Sequence, residues 1–385
     1  MKQLSEGSRK SHRVVKSRMR LWLSAVVVLS TTAGVSTLAN ASTGKTSAAE
    51  VAAAKAFVKL HSPYLTGNSV PTAKLPKRPP TGKSIAYVET TDSGSLLYAQ
   101  AIQAAAKILH WKVDIIPTQS TPQSVANSMS LALEKHPSAV MTGAAFPEST
   151  FPSQLAQLAK AKIPYIECCT GDAIGKGVVA NIDPTADFTL RGVWLAHWIV
   201  ADSNGKANVA VYNLPTYPVL NAVATGLTST LKSTCQGCTY SSQNISVNSI
   251  GSTLPSQVVS YLRAHPSVNY VAFTFGDMTL GLSTAMKSAG LTSKVKVVTQ
   301  HASKANFQDV ANGSEAVNLP EPDLQIGWYM VDAALRFLEK VSVPNNQYKY
   351  VPENFITKAN LKSVTAPYVS DPNYKSEFLK LWGIS

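Results

Sequence analysis

From residue 84 to about residue 340 the chain repeats one unit: a short apolar run, a polar or aromatic loop, then a stretch with helical spacing. Alternation of this kind builds parallel sheets, because a parallel strand can return to its sheet only through a crossover, usually a helix. The first set of apolar runs lies at 84–88, 113–116, 139–142, 164–168 and 178–182, with helical patterns between them, for example 95–109 and 153–161. Thr121-Pro122 is a helix start of the same series, a hydroxyl cap followed by proline in the first turn. After a helical pattern around 191–200 the series restarts with strands at 207–212, 240–247, 270–273, 295–299 and 316–319 and helices from 219, 254, 280 and 326. Two half-sets predict an α/β protein of two doubly wound parallel-sheet lobes joined by hinge strands. In such sheets ligands sit in the crevice outside the carboxyl ends of the strands, which puts function in the strand-to-helix loops.

What precedes the first strand reads as an address. Arg9, Lys10, Arg13, Lys16, Arg18 and Arg20 lead into a mostly apolar stretch from Leu21, and Ala39-Asn40-Ala41 offers the small residues of a cleavage site. Residues 1–41 are therefore expected to be a cleaved signal peptide. No cysteine follows for lipid attachment and no Arg-Arg pair precedes, so the expectation is general secretion to the periplasm or the outer face of the cytoplasmic membrane. The leader also carries +6 of the net charge of +13. Seven of the 35 basic and one of the 22 acidic residues lie before Ser42, leaving 28 against 21, or +7, spread along the chain. With no basic stripe interleaved with aromatics, nucleic acid is not an expected partner.

The expected organisation is a helix and Pro-rich linker over 42–83, a first lobe from 84–182 plus 322–345, a second from 183–321, and a tail over 346–385 packing on one lobe. The four cysteines form two close pairs. Cys235 ends a helical pattern instead of starting one, so Cys235 and Cys238 are read as a structural disulfide closing the turn at Gly237, not as a redox site. No histidine stands at ligand spacing, and no metal is expected. Cys168 and Cys169 are either a vicinal disulfide, offering an apolar platform, or two free thiols.

Three stretches carry a resemblance: 269–297 (NYVAFTFGDMTLGLSTAMKSAGLTSKVKV), Pro164-Tyr165-Ile166 after a helix ending Ala159-Lys160-Ala161-Lys162, and Asn318-Leu319-Pro320 ahead of Gly327. Over roughly 84–340 the chain resembles the ribose-binding-protein type of periplasmic solute receptor, the sugar-binding component of ATP-driven importers, and its ends resemble an actinobacterial branch. The resemblance implies a monomer without cofactor that closes on a small molecule between its lobes, on hinges near 181–184, 319–322 and 344–346, and delivers it to an ABC-type permease. It also exposes departures. Where such receptors clamp sugar hydroxyls with an Asp-Arg pair after the fourth strand, Cys169 and Thr170 stand here. Their arginine on the second lobe's first helix falls on Val223, the asparagine of their Asn-Asp loop on Phe275 or Gly276, their next aspartate on His301, and their glutamine before the final helix on Glu321.

The expected ligand-facing residues are Thr91, Asp92, Ser93, Tyr98, Phe146, Cys169 and Thr170 from the first lobe and Thr216, Tyr217, Phe275, Asp277, His301 and Glu321 from the second. Losing charge-assisted bonds of about 1.5–3 kcal/mol each argues against a simple sugar and for an aromatic or partly apolar hydroxylated compound. A sensory receptor of the same fold would differ only in its membrane partner. No catalytic residues are expected: Gly-x-Ser-x-Gly, Walker and dinucleotide motifs are absent, with Thr91-Asp92-Ser93-Gly94 after the first strand instead. A repressor would need a helix-turn-helix where the leader stands.

Overall fold

The computed structural model describes residues 44–62, 70–143, 146–170, 173–183, 185–348, 354–364 and 366–384, so the expected signal peptide lies outside the described residues. After α1 (Ala48–His61), the first half runs β1 (Ser84–Glu89), α2 (Ser93–Ile108), β2 (Lys112–Pro117), α3 (Pro122–Glu134), β3 (Ala139–Thr142), α4 (Pro152–Ala161), β4 (Tyr165–Cys168) and β5 (Val178–Ile182). Then come α5 (Thr185–Ser203), β6 (Asn208–Asn213), α6 (Pro218–Thr234), β7 (Thr239–Asn244), α7 (Leu254–Ala264), β8 (Tyr270–Phe273), α8 (Leu282–Ser288), β9 (Lys296–Gln300), α9 (Lys304–Asn312) and β10 (Val317–Leu319). The chain closes with α10 (Asp323–Leu338) and α11 (Tyr374–Trp382).

Two five-stranded sheets result, ordered β2-β1-β3-β4-β5 and β10-β9-β8-β6-β7, with parallel pairing throughout. Counted from its own first strand, each sheet has the same doubly wound order, so the switch points are β1/β3 and β6/β8. The fold class matches the expectation from the alternating pattern. Both faces of each sheet are covered, which is why β1, β3 and β8 read as unbroken apolar runs.

Local signals start the helices. Asp92 caps α2 by accepting from the Ser95 N–H, Thr121 caps α3 from Ser124, and Pro218 occupies the first turn of α6. Helices α5 and α6 cross closely because both carry glycine at the crossing. A Cβ at Gly192 would stand 2.0 Å from the Val223 carbonyl oxygen, and one at Gly226 2.1 Å from that of Thr189. Helix α10 buries nearly its whole length against α2, β4 and β5, on the first lobe.

The terminal segments bind both lobes. Helix α1 lies on α5, with Phe57 edge-on to Trp194 at 5.1 Å, and the Leu75 N–H donates to the Leu381 carbonyl on the first-lobe side. The tail, expected on one lobe, reaches two. Ile356 bridges Asn318 of β10, while α11 packs on α10 by stacking Trp382 on Trp328 at 5.4 Å. The Cys235–Cys238 bridge closes its turn, where the Gly237 N–H donates to Thr46 Oγ1.

Candidate functional site

At the carboxyl ends of both sheets a cavity of about 270 Å3 opens between the lobes. The first lobe contributes Thr91 and Asp92 after β1, Tyr98 from α2, Ser120 after β2, Gly143 after β3 and Cys169 after β4. From the second come Leu214 after β6, Tyr217, Val219 and Leu220 at the start of α6, and Val247 and Ile250 after β7. Phe275, Asp277 and Leu280 after β8, His301 after β9 and Phe188 on α5 complete that wall.

Contacts across the cleft hold the lobes together. The Ser93 N–H and Oγ donate to the two carboxylate oxygens of Asp277, each at 3.0 Å, so the amino-terminal end of α2 presents its free donors to an acid of the opposite lobe. His301 lies against Gly94, where a Cβ would come within 2.6 Å of its ring. The Phe146 and Tyr217 rings meet across the cleft at 5.3 Å.

Beneath the cavity lies a buried charge cluster. Arg191, on α5, donates from Nη1 to Glu321 and from Nη2 to Asp183, both at 2.6 Å, and none of the three is more than 1% exposed. Asp183 follows β5 and Glu321 follows β10, so one guanidinium ties together two of the expected hinge strands. Tyr98 donates from Oη to the other Glu321 oxygen at 2.5 Å. His301 Nε2 stands 2.9 Å from Asp323, and its Nδ1 3.5 Å from Glu321. Burial would lower the His301 pKa, but Glu321 and Asp323 more than offset it and carry it up to about 10. Burial raises Glu321 too, yet His301 and Arg191 hold it below the ordinary carboxylate range. With two cations facing three acids, the excess falls on the others: burial pushes Asp183 well up and Asp323 to about 6.

The His301 pairing makes a pH prediction. Its folded pKa stands above the unfolded value of about 6.5, so its contribution is complete below that pH and is lost as pH rises through about 10. Urea unfolding of the protein and of His301→Asn, whose asparagine tolerates the left-handed backbone at φ 62°, should differ less at each step of that window. The narrowing is at most about 1.4 kcal/mol per pH unit. A difference that stays constant from pH 6.5 to 10 would contradict the pairing.

Eight of the residues read from the sequence meet on the cavity: Thr91, Asp92, Tyr98, Cys169, Tyr217, Phe275, Asp277 and His301. Five do not line it. Ser93 is spent on Asp277, and Phe146 is 2% exposed behind Tyr217. Thr170 is buried, donating to Glu167 Oε1 and accepting from Asn181. Thr216 is exposed on the loop before α6. Glu321 lies under the wall, turned inward by Arg191. Leu214, Val247 and Ser120 were missed although they too follow strands, and the strand-end rule applied to apolar residues would have found the first two. Phe188 lies in the first turns of α5, ahead of the helical pattern read at 191–200, and Arg191 opens that pattern, where nothing local marks its side chain as part of the site. Among the described residues His301, Glu321 and Asp323 have the spacing to hold a metal ion, but their donor atoms already face the imidazole or the guanidinium.

A family model described as a periplasmic binding protein domain matches residues 83–340. No curated protein sequence matches the chain. Among solved structures, an ABC transporter solute binding protein from Agrobacterium vitis bound with α-D-tagatopyranose is similar at a TM-score of 0.64 and 21% identity, over 74% of this chain and 99% of that one. A glucose-galactose binding protein from Geobacillus stearothermophilus is similar at 0.64 and 17%, over 73% and 99%. So is a LacI-type transcriptional regulator from Bacteroides fragilis, at 0.63 and 13%, over 74% and 100%. Likeness at these identities concerns the fold. The family match, running over more than half of the 385 residues and coinciding with two repeated lobes around one cleft, places the chain in the periplasmic binding protein family, binding proteins rather than enzymes.

Proposed function

We infer that the protein is exported, captures a compact ring compound with an apolar face and a few hydroxyl or amino groups between its lobes, and hands it to an ABC-type permease. The observation that carries the ligand class is the composition of the wall. Among the described residues lining the cavity there is no arginine, lysine, asparagine or glutamine. Sugar hydroxyls are best held by such planar, multidentate groups. Arg191, the guanidinium nearest the cleft, is already committed to two carboxylates. What remains is a largely apolar second-lobe wall with a few polar groups around the cavity, Asp92 and the Tyr98 hydroxyl from the first lobe and Asp277, His301 and the Tyr217 hydroxyl from the second. The volume suits one ring, lying just below the ~300–1,000 Å3 of drug-sized pockets. The two carboxylates on the wall, Asp92 and Asp277, favour one alternative, a sugar held mainly by carboxylates.

Export rests on the leader of residues 1–41, and permease delivery on the fold and the resemblance of 84–340. A sensory role would use the same cleft and a different membrane partner. Among the described residues no helix is long and apolar enough to cross a membrane.

Thermal unfolding of the chain from Ser42 onward, against D-ribose, D-glucose, D-tagatose, myo-inositol, catechol, 4-hydroxybenzoate and tyramine, tests this reading. A ligand at ~100 times its dissociation constant adds about 2.7 kcal/mol, a shift of a few degrees in a protein of this size. A shift with the aromatic compounds and none with the sugars is expected. A shift with the sugars alone would overturn the ligand class.

A further inference from the structure

Cys168 is the last residue of β4, and Cys169 turns off the sheet in the left-handed region at φ 65°, its N–H donating to the Ile182 carbonyl of β5. The two are joined by a disulfide, and Cys169 faces the cavity while Cys168 is fully buried behind it. The Cys169 sulfur also lies 3.4 Å from Tyr98 Oη and 3.8 Å from Glu321 Oε1, against the hydrogen bond that ties the cavity wall to the charge cluster.

In the oxidised form this part of the wall is a compact, polarisable surface with no donor. Opened to two thiols, it carries two S–H groups, one of them beside the carboxylate oxygen that accepts from Tyr98. The two sulfurs must also separate from bonding to van der Waals distance, and one of them already fronts the cavity. Reduction therefore changes the shape of the wall, its polarity and the anchoring of Tyr98 together.

Building on the ligand class inferred above, we propose that the Cys168–Cys169 disulfide is the platform on which the flat face of the bound ring rests, so that affinity depends on its oxidation state. An external dithiol supplies the two electrons and two protons. The S–S bond breaks, two cysteine thiols form, and the reagent leaves as its own disulfide. Affinity falls on reduction and returns on reoxidation.

The test uses Cys235→Ala/Cys238→Ala protein, which leaves the vicinal pair as its one bridge, titrated calorimetrically with catechol and with D-glucose before and after treatment with dithiothreitol. Alkylation with iodoacetamide reports the state of the pair. The expected result is no label before reduction, two afterwards, and catechol affinity at least about tenfold weaker in the reduced protein, with recovery on reoxidation. Cys168→Ser/Cys169→Ser should bind as weakly as the reduced form and ignore the dithiol. If D-glucose binds, catechol does not, and glucose shows the same redox loss, the platform stands and the aromatic ligand class falls. Labelling of both cysteines without dithiol, equal affinity in the two states, or binding of neither compound to either state would overturn the proposal.

Discussion

Replacing Arg191 by alanine is expected to lower the unfolding free energy by about 3–5 kcal/mol, the usual cost of removing one partner of a buried ion pair. The loss is large for a fold whose total stability is on the order of 5–15 kcal/mol. It arises less from the vanished attraction than from what is left behind. Asp183 and Glu321, both with fully buried side chains, would face each other across an emptied site with His301, 3.5 Å from Glu321, as the cation left in the cluster. The guanidinium also lies 4.3 Å over the Phe188 ring, which lines the cavity, so ligand affinity should fall with stability. Urea unfolding monitored by tryptophan fluorescence measures the first effect. Arg191→Met combined with Glu321→Gln should recover part of the loss, because the substitutions remove charges of both signs and keep volume. A single substitution costing under about 1 kcal/mol would mean that the hinge strands do not depend on this arginine.

Trp382→Ala should cost about as much, roughly 3–5 kcal/mol, the range for deleting a fully buried aromatic side chain. Trp382 is buried at the end of α11, stacked on Trp328, packed against Phe378 at 5.5 Å, and bonded from Nε1 to Asp332 at 2.7 Å. Asp332 keeps Tyr348 and Arg336 as partners, so the alanine variant loses packing and one hydrogen bond without stranding a charge. Trp382→Phe, which retains the ring contact and gives up the hydrogen bond, should lose less. If both variants unfold with the parent, the tail is an appendage and not part of the first lobe's core.

The sheets were legible because fully covered parallel strands leave continuous apolar runs and helices leave spaced ones, two signals that short windows separate well. Helix α9 escaped because its nine residues are mostly polar, with Asn306, Phe307 and Val310 buried. Helix α11 escaped because its anchor, Trp382 on Trp328, joins residues far apart in the chain, and no local pattern encodes such a contact. The same limit shaped the site. Thr91, Cys169, Phe275 and His301 were found because each follows a strand on the cleft side. Glu321 follows a strand equally well, yet it points inward because Arg191, 130 residues earlier, binds it. Thr170 follows β4 and turns to Glu167 and Asn181 instead of the cleft. Strand ends tell which residues stand near a ligand, and long-range pairing decides which of them are free to touch one.

Central to this account is a ligand clamped by contacts from both lobes, since only such contacts let binding favour the closed arrangement. Small-angle X-ray scattering of the protein from Ser42 onward, titrated with each compound of the thermal panel, tests that directly. Any compound that raises the unfolding temperature should also reduce the radius of gyration as the lobes close. A compound that stabilises the protein and leaves the radius of gyration unchanged would contradict the clamp and move the binding site out of the cleft.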